Sequence, residues 1–312
     1  MSNAVEPALV AVRLVAFVSG MVLLGSPVFV LGLAARFGPE AAPRRDFAHW
    51  LGRVLPLAAA AALGAAALWL DLVAAIMGGG WGQAIDPHTI ALVLSDTAFG
   101  RAWAWHLGFG VALLGLVLVA PPRAGPATAL AALLAALFLA STAWAGHAVM
   151  HPGLRPLAVQ VVHLLAGGLW LGSLPALFHL LARARASGAA DWHAAAIDML
   201  PRYSGAGYGA VALVLLTGMM NSAALVGGMG ALATTPYGRV LLVKIALVLL
   251  MVGVAAWNRV RLVPRIGALE PGGDGVAAVR ALGRSVALEQ ALGVLVLAAV
   301  SLLGTLPPAL VH

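Results

Sequence analysis

The chain has 312 residues, 62% hydrophobic and 9% charged, with a formal net charge of +7 and no cysteine, and its mean hydropathy is +1.00. That leaves too little polar surface to cover a water-soluble globule, so lipid is the solvent for most of the molecule. The missing thiols exclude disulfides, thiolate metal sites and cysteine nucleophiles together, leaving His, Met, Asp, Glu and backbone as metal donors.

A bilayer core needs about 20 apolar residues per helical span. Eight such runs occur, near residues 7–35, 50–78, 98–120, 125–147, 157–183, 203–226, 237–260 and 281–306. None alternates with period two, which excludes a membrane β-barrel, and the Ala, Leu and Gly texture suits close helix packing. The expectation is an all-α polytopic bundle, one integral-membrane unit over residues 1–312 without a sizeable extramembrane domain. Residues 1–12 hold Glu6 and no basic residue, so they lack the charged start of a cleaved signal and the first run is expected to stay as a span. The longest connection, Arg261 to Arg280, contains Pro271, Gly272, Gly273 and Gly275 and reads as a flexible linker. No internal repeat, phosphate loop, dinucleotide fingerprint or nucleophile elbow stands out, and no nucleophile with a general base argues for an enzyme.

Of the 18 lysines and arginines, 13 fall on the connections after spans one, three, five and seven or on the adjoining helix ends. The other side holds Arg13, Arg101, Arg155, Arg239 and Lys244. Positive residues mark the cytoplasmic side, so both termini are expected outside. The same scatter over separate short loops argues against a nucleic-acid partner, which needs one basic face.

Ionisable groups inside spans are costly in hydrocarbon and are the default functional candidates. His106 in span three and His163 in span five both lie about 9 to 12 Å below the outer face by helical rise. Arg13, Asp71, Asn221 and Lys244 also fall in the outer half, and Asp71 reads as the ion-pair partner of Lys244 or Arg13. At the end of span four, residues Gly146–Pro152 place His147, Met150 and His151 on one face if the helix continues. Two imidazoles and a thioether suit copper as Cu(I) or Cu(II), Met favouring Cu(I) and imidazole accepting either, whereas hard cations prefer oxygen. Against this, loop histidines are common, Met is a routine core filler, and histidines alone accept zinc too. Trp50, Trp69, Trp81, Trp103 and Trp170 are expected in the interfacial aromatic belt.

The run His163-Leu164-Leu165-Ala166-Gly167-Gly168-Leu169-Trp170-Leu171-Gly172 resembles the histidine-led helix of the CopD/PcoD copper-resistance membrane proteins. The likeness continues in Arg202-Tyr203-Ser204, in Leu216-Thr217-Gly218-Met219-Met220-Asn221, in the segment Thr235 to Lys244 and in Trp257-Asn258-Arg259. It is most recognisable over residues 145–265, with a weaker echo at Thr97 to Trp103. The resemblance implies an inner-membrane protein of bacterial copper handling that moves copper in partnership with a periplasmic copper-binding protein. It carries over His147 and His163 as ligand positions and Lys244 and Arg259 as basic positions of a structural kind. His106, Met150 and His151 join the metal candidates from depth and spacing alone.

On this reading His88, Met150 and His151 collect copper at an outward-facing chamber and hand it to His147 and His163, with Met219, Met220 and Asn221 nearby. An inner path has only His179, Glu289 and Gln290, and a neighbouring Arg or backbone donor is the preferred partner of Glu289. Two alternatives stay open. In one, His106 and His163 clamp a haem b as in a membrane cytochrome; in the other, the bundle binds copper without moving it.

Overall fold

The computed structural model describes residues 5–121, 123, 125–145, 153–187, 190–267 and 273–309. Among these the chain forms helices and no strand. The helices are α1 (Val5–Ala34), α2 (Ala42–Gly78), α3 (Pro87–Asp96), α4 (Ala98–Val119), α5 (Pro126–Ser141), α6 (Leu154–Ser187), α7 (Ala190–Leu225), α8 (Met229–Thr234), α9 (Pro236–Trp257), α10 (Val263–Gly267) and α11 (Gly273–Leu303). Eight of them, α1, α2, α4, α5, α6, α7, α9 and α11, are long and apolar enough to cross a membrane. They coincide with the eight expected runs.

Several helices outrun the hydrocarbon on one side. α2 starts at Ala42 and α7 at Ala190, each well before its apolar run, because Ala, Arg and Asp continue a helix once water can solvate their side chains. Most of the segregated arginines therefore ride on helix ends rather than in loops. The expected flexible linker is also shorter than the sequence suggests. A π-helical turn, Asn258–Leu262, and α10 prolong α9 past Arg261 and Arg265, and α11 begins at Gly273.

α1 and α6 form the centre of the bundle. They cross where Gly25 meets Gly172 with no room for a side chain: a Cβ on Gly172 would lie 1.7 Å from the Met21 carbonyl oxygen, and one on Gly25 would lie 2.6 Å from that of Gly168. Ser26 Oγ donates to the Gly172 carbonyl at 2.9 Å across this crossing. Small residues at such a point let helix backbones approach closely.

The crossing is reciprocal, and it exposes an internal repeat that the sequence does not announce. Leu24-Gly25-Ser26 and Leu171-Gly172-Ser173 sit in the same register, and further along Arg36 corresponds to Arg183. Each arginine pairs with the second helix of the other half, Arg36 with Asp198 at 3.2 Å and Arg183 with Asp46 at 3.0 Å. Helices α3–α4 recur as α8–α9 in detail. Thr97 and Thr235 cap α4 and α9, accepting from the amides of Gly100 and Gly238 at 2.8 and 3.0 Å. Their hydroxyls donate to Val93 and Ala231 carbonyls at 2.6 and 2.7 Å. Arg101 and Arg239 each reach back six residues, to the carbonyls of Ser95 and Ala233. Gly100 and Gly238 are required because a Cβ would strike the Val93 and Ala231 oxygens at 1.9 and 2.3 Å. The halves α1, α2, α4, α5 and α6, α7, α9, α11 thus run parallel about a pseudo-two-fold axis along the bundle, the arrangement of parallel membrane repeats.

The symmetry breaks at one place. α2 packs along α4, but α7 and α9 barely touch. In the first half Trp103 Nε1 donates to the Ala66 carbonyl of α2 at 2.9 Å, and Trp69 packs on Trp103 at 4.8 Å between ring centroids. The register position of Trp103 is held in the second half by Leu241, which has neither the ring nor the donor.

Two expectations about side chains are corrected here. Trp69, Trp103 and Trp170 are buried inside the bundle rather than lying in an interfacial belt, because their rings fill the space between small-residue helices. Asp71 is not within salt-bridge distance of Arg13 or Lys244. Arg13 instead donates to the Gly304 carbonyl at 3.2 Å and lies over the Trp69 ring at 4.5 Å, so a chain end and an aromatic face stabilise its charge. The same contact brings the start of α1 and the end of α11 together on one face of the bundle, its chain-end face.

Candidate functional site

His163 stands on α6, nine residues from its start and on the half of the bundle that carries the chain ends. Its Nδ1 lies 2.9 Å from Thr217 Oγ1 on α7. The Thr217 hydroxyl donates to the Leu213 carbonyl one turn back. Since that carbonyl accepts only, the threonine proton is already engaged, and the imidazole must donate its Nδ1–H to Thr217. Neutral His163 is thereby held as the Nδ1–H tautomer with a bare Nε2 lone pair, the form in which histidine ligates metals. Gly218 lies beside the ring: a Cβ there would sit 3.4 Å from His163 Cε1, an ordinary contact.

One turn toward the chain-end face, Asn221 Nδ2 donates to Gln160 Oε1 at 2.8 Å. Positions 160 and 163 on α6, and 217 and 221 on α7, share faces by helical spacing, so a polar seam runs down the α6–α7 contact. Sequence reasoning placed Thr217 and Gly218 in a family run without giving them a role, and missed Gln160. The signal available was the matched spacing of Thr217 with Asn221 and of Gln160 with His163.

His106 sits eight residues into α4 and is fully buried. It faces α5, not the seam. Its ring stacks on Trp103 and Phe138 at 4.3 and 3.9 Å between centroids. Nδ1 is 3.0 Å from the Phe138 carbonyl and 2.8 Å from Ser141 Oγ, whose own proton goes to the same carbonyl. His106 therefore also carries its proton on Nδ1, and its Nε2 is buried without a partner. His106 and His163 match in depth but engage different neighbours, α5 and α7, and no observation favours a haem between them.

His147, Met150 and His151 lie outside the described residues. The 3-10 turn Thr142–Ala145 that leads to them packs against both α4 and α6, the helices bearing His106 and His163. Among the described residues no three His, Asp or Glu side chains converge as a metal cage.

The remaining expected stepping stones separate in the structure. Met219 and Met220 are exposed on α7, at 63% and 40%. His88 is exposed on α3. His179 is held by Asp46 at 2.6 Å and stacks on Trp50, joining the Arg183 ion pair as structure. Glu289 is met by the side-chain amide of Asn258, not by an arginine or a backbone donor.

Known families match both halves of the repeat. The model described as copper resistance protein D-like, N-terminal domain, matches residues 1–157, and that of copper resistance protein D matches residues 197–303. The inner membrane protein YebZ of Escherichia coli (strain K12) is 33% identical over 313 residues, covering 96% of this chain and 98% of that protein. Copper resistance protein D of Pseudomonas syringae pv. tomato is 33% identical over 318 residues, with 97% of each chain covered. Copper transport protein CutJ of Bacillus subtilis (strain 168) is 29% identical over 189 residues, 57% of this chain and 34% of that one. No solved structure matches. With eight apolar helices and full-length relatives of this kind, the chain belongs to the copper resistance protein D family, as a multi-pass protein of the bacterial inner membrane.

Proposed function

We propose that this protein takes copper ions from the periplasmic side and moves them into or across the inner membrane, with His163 as the ligand at the mouth of the path. The observation that carries this reading is the Thr217 hydrogen bond, which fixes the Nδ1–H tautomer and leaves Nε2 free to coordinate. The segregation of positive charge supports placing both chain ends, and hence the His163 half, in the periplasm. His106, with its bare buried Nε2, and the sequence segment carrying His147, Met150 and His151 supply further donors. Copper is cargo here, delivered by a periplasmic copper-binding protein, and the reading requires no bond-making chemistry from the chain. The name of the Bacillus subtilis relative, a copper transport protein, agrees with it.

The test is copper uptake by proteoliposomes containing the full chain. His163→Ala abolishes uptake. Thr217→Val, which removes the acceptor but not the ligand, weakens apparent copper affinity by about 10- to 100-fold, the usual effect of losing an outer-shell partner. Uptake unchanged in His163→Ala overturns the proposal. Copper bound tightly with no uptake by the parent supports the binding-only alternative instead.

A further inference from the structure

Where α7 and α9 part, on the face opposite the chain ends, a cavity of about 100 Å³ opens between α6, α7, the π-helical turn and α11. Its walls are mostly apolar, interrupted by Glu289 of α11, by Asn258 and Arg259 of the turn, and by Tyr203, Ser204 and Tyr208 of α7. Glu289 is 4% exposed and Asn258 6%. Asn258 Nδ2 donates to Glu289 Oε1. The other end of the same amide, Asn258 Oδ1, is buried without a partner, as is the Tyr203 hydroxyl. No Lys, Arg or His lies within 4.0 Å of the Glu289 carboxyl among the described residues. π-turns of this kind gather at functional sites.

An ionised carboxylate at this position has one donor, no counter-charge within 4.0 Å and an orphaned oxygen beside it, a costly arrangement inside a membrane bundle. The neutral acid resolves all three. Its Oε2–H is the donor that Asn258 Oδ1 lacks, and the amide and acid then close a two-point pair.

We propose that Glu289 is a proton-binding site that couples copper passage to proton release, an inference that rests on the transport reading above. The carboxyl is neutral while the bundle holds no cation. When a monovalent cation enters from the His163 side, the Oε2–H bond breaks, the electron pair stays on Oε2, and the proton leaves to water on the face opposite the chain ends. The cation's charge is then balanced by the carboxylate. The other titratable or charged groups lining the cavity are Tyr203 and Tyr208 from α7 and Arg259 from the turn, at the mouth; α6, α9 and the rest of α11 contribute none. α1 also packs on α11, and its arginines are engaged at its two ends, Arg13 with Gly304 and Arg36 with Asp198.

The experiment is infrared difference spectroscopy of the full chain in lipid nanodiscs at neutral pH, with and without Cu(I). The expected result is a carbonyl-stretch band of a protonated carboxyl that is lost in Glu289→Gln, shifted but retained in Glu289→Asp, and diminished when Cu(I) is added to the parent. The same band in parent and Glu289→Gln overturns the proposal. A Glu289 band untouched by Cu(I), in protein that takes up copper when reconstituted, also overturns it, because the site then holds a proton without coupling. Copper uptake by the parent reads the transport function separately, so the two can fail independently.

Discussion

Replacing Gly172 by alanine tests the α1–α6 crossing on which the whole bundle is centred. The new Cβ falls 1.7 Å from the Met21 carbonyl oxygen, and such contacts under 3.0 Å essentially never occur, so the helices must separate by about 1.3 Å along that line. Overpacking costs about 1–3 kcal/mol, and the upper end applies because the obstacle is helix backbone, which has no rotamer to change. Separation also weakens the 2.9 Å bond from Ser26 to the Gly172 carbonyl, a loss of about 0.6 kcal/mol. Alanine returns about 1 kcal/mol of helix propensity. The net destabilisation is about 2–3 kcal/mol. Gly25→Ala, at the reciprocal position, produces a similar loss. The double variant falls well short of the sum, because the first substitution has already moved the helices apart. Gly64→Ala on α2 and Gly209→Ala on α7, which meet nothing within 4 Å, serve as controls and are neutral or slightly stabilising. Unfolding by sodium dodecyl sulfate in mixed micelles, followed by tryptophan fluorescence, reads all five proteins. Gly172→Ala as stable as Gly64→Ala would refute the crossing.

The repeat predicts paired responses elsewhere. Thr97→Ala and Thr235→Ala each remove an equivalent helix cap and each cost about 1 kcal/mol, with faster amide exchange at Gly100 and Gly238 respectively; sensitivity in one half alone contradicts the equivalence. On α3, hydrogen bonds from the Thr89 side chain and amide hold the Asp86 carboxyl below the ordinary carboxylate range. A depressed folded value means that this cap is fully present above the unfolded-state value, about pH 4, and is lost as pH falls through the folded one. Thr89 amide protection should drop on acidification below about pH 4 and be pH-independent there in Asp86→Asn.

The spans were readable because about 20 apolar residues in a row have few other uses, and the lipid environment leaves helices as the economical solution. Azimuth was not. Depth along a helix placed His106 and His163 at one level, but which neighbour each imidazole faces, α5 or α7, depends on how helices pack. Thr217 was hidden for a related reason: a threonine in a span usually bonds its own i−4 carbonyl, as this one does with Leu213, and its second role appears only when α6 is beside it. Met219 and Met220, adjacent in sequence, looked like a pair of donors, yet both are exposed on α7.

The repeat escaped notice because what recurs is backbone chemistry: a threonine cap, a glycine under a carbonyl, an arginine reaching back six residues. The side chains that fill the halves differ, Trp103 and His106 in one against Leu241 and Lys244 in the other. The same divergence accompanies the loose contact between α7 and α9 in the second half.

Copper content with a visible absorption spectrum, measured on detergent-purified full chain and on His163→Ala, tests the central claim most directly. The account predicts near-stoichiometric copper in the parent, a marked loss in His163→Ala and no Soret band in either. Copper content indifferent to His163, or a Soret band that disappears with it, would contradict the account.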